Sequence, residues 1–263
     1  MRIARFTTGN ADPRYAIVEG DAGAEELVVL SGDPMYLVGD LTGERVPLTD
    51  EVRLLAPVIP RSKVVCLGKN YAEHAKVVQA RGPASEVPIL FLKPNTAVIG
   101  PDDPIVLPPY SDDVQMESEL AIIIGRVCRN VSPEHAEDYI YGFTCANDVT
   151  ARDLQRQEDQ WFRAKAFDTS LPLGPWIETE LAHDDVDILG RINGEVSQQG
   201  NSRDMILDVA NAISMISEIT TLLPGDVIIT GTPAGVTRMQ HGDIVEVEIE
   251  DIGVLRNPVI RRD

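Results

Sequence analysis

Glu117 and Glu119 stand one residue apart in VQMESELAIIIG, residues 114–125, at the mouth of the apolar run Leu120-Ala121-Ile122-Ile123-Ile124. If that run is a strand, side chains at i and i+2 leave the same face, about 7 Å apart along the chain. Two carboxylates aimed together repel unless a cation or a proton sits between them. A hard divalent ion resolves the repulsion. An all-oxygen ligand set with no Cys/His pattern beside it favours Mg²⁺ or Mn²⁺, and Ca²⁺ also fits. Such a set needs a third acid, and Asp148 is the natural candidate. It closes the strand-like YGFTCAND just before a helix begins, and a strand end next to a helix N-terminus forms a ligand-binding corner. Taken alone, Glu-x-Glu equally describes two glutamates on the solvent face of an edge strand, so the surrounding elements have to decide.

Those elements are mostly strands. Before the acidic pair, KVVCLG and PILFLKPNTAVIG read as strands, the second broken at Pro94 and Gly100, with YAEHAKVVQA between them as a short helix. After it, SPEHAEDYI predicts a short helix capped by Ser132, with Pro133 in its first turn. TARDLQRQEDQ predicts a helix whose Thr150 and Asp153 are spaced as a capping box. WIETE reads as a strand, and VDILGRINGEVSQQGN as a hairpin turning at Asn193-Gly194. DMILDVANAISMISEIT carries apolar residues at 205, 206, 209, 213, 216 and 219, a helical stripe. VIITG and the alternating DIVEVEIEDIGVLRNPVI add strands. Helices do not alternate regularly with strands, so the pattern argues against a doubly wound parallel sheet and predicts an α+β fold, β-rich and mixed.

The first 57 residues are short apolar pieces, Arg2–Phe6, Tyr15–Val18, Leu27–Leu30 and Met35–Leu37, between Gly- and Asp-rich turns. They predict a small N-terminal β domain over residues 1–58. Pro57 and Pro60 mark the passage to a main domain over 59–263. At 263 residues and 43% hydrophobic content, a full core needs no staples. The net charge of −19 repels phosphate backbones and argues against nucleic acid as a partner. It leaves room for small anionic substrates where a metal inverts the local field. Cys66, Cys128 and Cys145 lie far apart within or beside apolar runs, as expected of buried, reduced thiols. No run approaches a membrane span and the first residues lack an apolar signal core, so a soluble, cytoplasmic protein is expected.

The motifs GKNYAEH, FLKPNTAVIGPDDPI, ESELAIIIG, FTCANDVTARDLQ, RAKAFDT and LLPGDVIITGTPAGV occur in that order over residues 63–240. Together they resemble the fumarylacetoacetate hydrolase family. The resemblance implies a β-rich mixed-sheet roll with a divalent-metal site near its centre, in a homodimer. It makes Glu117, Glu119 and Asp148 the metal ligands and places Arg152, Gln155 and Thr232 against the substrate. Lys165 becomes a cation beside the reacting oxygens, and His74 a proton carrier on a lid segment. It also implies the chemistry, which is metal-dependent and passes through the enolate of a small 2-oxo acid substrate. That chemistry leads to oxaloacetate decarboxylation or acylpyruvate hydrolysis, or alternatively to isomerisation of a 2-hydroxymuconate-type diene acid. A non-catalytic metal- or metabolite-binding relative is the alternative from another class. Hydrolases and decarboxylases of the family commonly pair the lid histidine with a glutamate three residues later. Here that position is Val77, which leaves water activation without its usual partner and tilts the expectation toward decarboxylation or isomerisation.

Overall fold

Alternation writes most of this fold directly. In Ile244–Ile249 every second side chain is buried, as in a strand with one face on a core. Ser118–Ile124 is buried at every position, as in a strand covered on both faces. The computed structural model describes residues 1–37, 39–71 and 88–262. His74, Val77 and the helix expected at YAEHAKVVQA lie outside the described residues.

Five strands open the chain: β1 (Arg2–Thr8), β2 (Arg14–Glu19), β3 (Glu26–Leu30), β4 (Leu41–Pro47) and β5 (Val52–Leu55). Next come β6 (Val64–Gly68), β7 (Ile89–Lys93), β8 (Val98–Ile99), β9 (Ile105–Leu107) and β10 (Val114–Met116). β11 (Ser118–Ile124), β12 (Ile140–Asn147) and β13 (Thr150–Ala151) precede the short helices α1 (Arg152–Gln157) and α2 (Phe162–Lys165). β14 (Leu171–Glu178), β15 (Asp187–Ile192) and β16 (Glu195–Asn201) lead to α3 (Val209–Ile219). β17 (Val227–Ile229), β18 (Thr237–Arg238), β19 (Ile244–Ile249) and β20 (Gly253–Arg261) complete the chain.

Among the described residues, the main sheet runs β4-β3-β2-β1-β14-β12-β11-β17-β6-β7, with β5 added at β1 and β8 at β14. A five-stranded sheet, β16-β15-β19-β20-β9, packs against it, and β13-β10-β18 form a third. Most pairs are antiparallel, while β17 with β6, β14 with β8 and β20 with β9 are parallel. This is the mixed, β-rich α+β fold the pattern predicts, in the roll form the resemblance implies. The small N-terminal unit continues the main sheet, because β1 pairs with β14 through Arg2↔Glu178 and Ile3↔Ile177. Its Ala4, Phe6, Ala16 and Leu27 share a core with Leu120, Ile122 and Ile188.

Several local expectations need correction. Met35–Leu37 is a turn, and the strands β4 and β5 carry little apolar alternation in sequence. The short helix expected after Ser132 forms as a 3₁₀ helix, Pro133–Tyr139, but Ser132 gives it no side-chain cap. No capping box forms at Thr150. α1 starts after Ala151 without a side-chain cap. The Thr150 hydroxyl turns back to the Asp148 carbonyl at 2.8 Å, and Asp153 accepts from Ser111 Oγ at 2.6 Å and the Asp112 N–H at 3.1 Å. A local turn takes the Thr150 hydroxyl and distant partners take Asp153, so the cap is lost. α3 begins later than its apolar stripe, where the Asp208 carboxylate accepts from the Asn211 N–H at 2.8 Å. The hairpin at Asn193-Gly194 forms as expected, with both residues at positive φ, 53° and 82°. All three cysteines are free and buried.

Candidate metal centre and active site

β11 lies inside the main sheet, between β12 and β17. Its register sets Ser118 against Asn147 and Glu119 against Ala146. One step beyond β12, the Asp148 N–H donates to the Glu117 carbonyl at 2.9 Å, so Asp148 arrives opposite Glu117. Glu117, Glu119 and Asp148 are all buried, and each offers a carboxylate oxygen within 4.8 Å of the others. Glu119 is fixed from the neighbouring strand end, where the Gly231 N–H donates to its Oε2 at 2.7 Å. Position 231 requires glycine. Its φ is +92°, and a Cβ there would lie 2.8 Å from Asn70 Cβ and 3.0 Å from the Leu67 carbonyl oxygen.

Three cations meet these three acids. Lys165, at the end of α2, is 2% exposed and bridges Glu117 Oε2 at 2.8 Å and Asp148 Oδ2 at 2.5 Å. Arg152 donates from Nη2 to Glu117 Oε1, from Nε to Gln115 Oε1 at 2.9 Å and from Nη1 to Gln155 Oε1 at 2.5 Å. Lys93 closes β7, fully buried, with Nζ 2.9 Å from Asp148 Oδ1. It also donates to the Ser170 carbonyl at 2.8 Å, to Ser170 Oγ at 3.0 Å, to the Val149 carbonyl at 3.3 Å and to the Lys165 carbonyl.

Burial penalises every one of these charges, and the balance of neighbours sorts them. Burial, reinforced by Asp148 and Glu117, pushes the Glu119 carboxyl well above the usual range. Burial lowers Lys93 from its ordinary value, with Asp148 opposing the shift. For Lys165 burial also works against the charge, but Asp148 and Glu117 outweigh it and its net shift is upward. Three carboxylates and three cations sum to zero if all are ionised. A divalent ion added to them leaves two positive charges, and a doubly charged anion cancels those in a site where uncompensated charge is costly. The raised Glu119 and the oxygen-only donor set therefore fit a hard divalent cation.

The other expected residues fall around this centre. Gln155 sits one turn along α1 from Arg152 and accepts from it. Thr232 is buried in the loop after β17. Its hydroxyl donates to the Ser118 carbonyl at 2.9 Å and accepts from Gln198 Nε2 at 2.7 Å, so its one proton is already committed. Two residues escape sequence reasoning. Lys93 carries a signal, a lone cation ending the apolar ILFLK. Gln198 carries none. It is buried on β16, accepts from the Ser118 N–H at 3.0 Å and ties β11 to the Thr232 loop. Phe91 and Trp161 build an aromatic wall, edge to face at 5.4 Å, with Lys165 Nζ 4.9 Å from the Phe91 ring centre.

Fold and site together define a β-roll protein built around a buried acidic triad able to hold a divalent cation. The chain belongs to the fumarylacetoacetate hydrolase family: the model described as fumarylacetoacetate (FAA) hydrolase C-terminal matches residues 63–260. A second model, Rv2993c-like N-terminal, matches residues 1–57. The crystal structure of 5-carboxymethyl-2-hydroxymuconate delta-isomerase from Mycobacterium smegmatis is similar over 100% of both chains, at 43% identity and a TM-score of 0.90. Human oxaloacetate tautomerase FAHD2A, mitochondrial, is 42% identical over 222 residues, which span 80% of this chain and 70% of that one. Maleylpyruvate hydrolase from Sphingobium sp. SYK-6, solved with manganese(II) and pyruvate, is 33% identical over 100% of both chains, with a TM-score of 0.81. The family thus contains hydrolases and isomerases of small acids. Among the described residues no helix is long and apolar enough to cross a membrane.

Proposed function

We propose that the chain takes a small 2-oxo carboxylate through its enolate and relocates a proton on it, by keto–enol tautomerisation or double-bond isomerisation. Glu117, Glu119 and Asp148 are the metal ligands in this reading. The observation that carries it is the buried Lys165 ammonium bridging two of three convergent carboxylates. A divalent cation on the triad, Mg²⁺ or Mn²⁺, supplies Lewis acidity toward the keto oxygen when bound.

The chain's own residues do the rest. Lys165 keeps its charge against burial and stabilises negative charge as it develops on the neighbouring oxygen. Arg152 holds Glu117 in place and, with Gln155, presents planar donors to a carboxylate. The Thr232 loop, held by Gln198, forms the opposite side. The Phe91–Trp161 pair screens the cluster from water on one flank. His74 is assigned the proton-carrying role on the sequence resemblance, since an imidazole titrates near neutrality. The relatives that are a tautomerase and an isomerase support proton relocation. Val77, in place of the glutamate that would assist water, counts against hydrolysis and leaves isomerisation and decarboxylation open. A homodimer, and a division into units 1–58 and 59–263, belong to the same reading. The division is supported by where the two family matches end and begin.

Cleavage of a C–C bond, in oxaloacetate or an acylpyruvate, is the second reading. The maleylpyruvate hydrolase relative favours it. One experiment separates the two. Chelator-stripped protein is offered oxaloacetate, acetylpyruvate and a 2-hydroxymuconate-type diene acid, with Mg²⁺, Mn²⁺ or no metal, and products are followed by ultraviolet absorbance and mass. Metal-dependent spectral change without mass change is expected. Loss of CO₂ or gain of water moves the assignment to cleavage, and absence of metal-dependent turnover on every substrate sinks both.

A further inference from the structure

Tyr71 is 3% exposed, and its hydroxyl oxygen is sealed from solvent with no hydrogen-bond partner among the described residues. Buried hydroxyls are nearly always bonded, so one left over calls for a ligand or a water. The backbone says which centre it serves. β6 and β17 run parallel and end side by side. Asn70, in the loop after β6, packs against Gly231, and its Nδ2 donates to the Thr230 carbonyl at 2.8 Å. Gly231 is the residue whose N–H holds Glu119. Tyr71 follows Asn70 directly and is pinned across the chain by a bridge to Met205. Burial, then the charges of Glu119 and Asp204, push its phenol upward. The group therefore stays protonated and keeps a proton to donate.

We propose that Tyr71 is a further ligand-binding residue: its hydroxyl donates a hydrogen bond to an oxygen of the dianionic ligand held on the Glu119 side of the acidic centre. The inference deepens the enolate reading and rests on it. It assigns the site a second donor, beside Glu119, in addition to Lys165 on Glu117 and Asp148, which suits a planar dianion with oxygens at both ends.

The test compares wild type with Tyr71→Phe by calorimetric titration of Mg²⁺ alone and of oxalate in the presence of Mg²⁺, together with thermal melts in chelator. Oxalate is a planar dianion of the required shape. Removing a donor to a charged acceptor is expected to weaken oxalate binding about 10- to 100-fold. Mg²⁺ affinity and the melting temperature in chelator stay unchanged or rise, because the hydroxyl has no partner to lose. A lowered melting temperature would show that the hydroxyl binds a structural water and overturns the proposal. So would a loss confined to Mg²⁺ binding, or unchanged oxalate affinity. Wild-type protein that binds neither Mg²⁺ nor oxalate sinks the functional reading and this inference together, whereas tight wild-type binding that the substitution leaves intact sinks the inference alone.

Discussion

Replacing Lys93 with Met keeps the aliphatic stem and deletes a buried ammonium. The ion pair it forms with Asp148 has side-chain exposures of 0% and 1%, so solvent screening does not discount it. Removing one partner of such a pair costs about 3–5 kcal/mol. Two features move the expectation to the lower end. Asp148 keeps Lys165, and the carbonyls of Lys165 and Ser170 retain bonds from Ser170 Oγ at 2.8 Å and the Val149 N–H at 3.1 Å. About 3 kcal/mol of destabilisation is therefore expected for Lys93→Met. At roughly 2–4 °C per kcal/mol for a chain near this size, the melting temperature falls by about 6–12 °C. The assay is a chemical or thermal melt in chelator, run as a double-mutant cycle with Asp148→Asn. Because the double variant strands no charge, it should recover at least ~1 kcal/mol relative to the sum of the singles. A Lys93→Met protein that melts within about 2 °C of wild type would refute the reasoning, and so would strict additivity.

Glu119→Gln tests the crowding of carboxylates. Burial with Asp148 and Glu117 raises the Glu119 pKa, so ionised Glu119 penalises the folded state. Stability falls as pH climbs from the unfolded value of about 4.3 through the raised folded one. In chelator the variant should melt above wild type at neutral pH, with the gap closing below about pH 4, while metal-dependent turnover is lost. Equal melting at neutral pH contradicts the assignment. Gly231→Ala forces a Cβ into the left-handed region against Asn70 and Leu67. It should cost about 1–3 kcal/mol and lower activity by loosening Glu119, measured by melting and by turnover at saturating substrate. Asp226→Asn is the control away from the site. Burial works against that carboxylate, but Lys63, Leu223 and Ser62 outweigh it and lower its pKa, so its stabilisation is present above an unfolded value of about 3.9 and disappears as pH drops through the folded one. The variant should lose roughly 3 kcal/mol near neutral pH and keep its turnover.

The parts of the structure readable from sequence are those with local causes. Asn193-Gly194 could make little but a tight hairpin turn, and the apolar run after Glu119 reads as a strand whose burial on both sides only the structure decides. Glu117 and Glu119 announce a shared face through the two-residue repeat of a strand, and Asp148 meets them because register pairs the end of β12 with the start of β11. What escaped depends on distant partners. Thr150 and Asp153 have the spacing of a cap, yet the distant Ser111 and Asp112 claim Asp153, and the Thr150 hydroxyl turns to the Asp148 carbonyl two residues back. Gln198 looks like any polar residue of an exposed hairpin, and only the packing of β16 behind β11 makes it a brace for the Thr232 loop. Lys93 resembles a strand-end lysine that reaches solvent, until the Val149, Lys165 and Ser170 carbonyls enclose it.

The acids and their counter-charges sit on supports of unequal strength. Glu119 belongs to a strand with neighbours on both sides, whereas Arg152 and Lys165 ride on helices of six and four residues. Amide protons of β11 should exchange only through global opening, and those of α1 and α2 through small, frequent fluctuations. Opening of either helix withdraws one positive charge, and opening of both withdraws two, from carboxylates that stay in place. Substitutions that loosen α1 or α2 are therefore expected to tighten divalent-ion binding and weaken anion binding, a pair of opposite shifts that calorimetric titration can read.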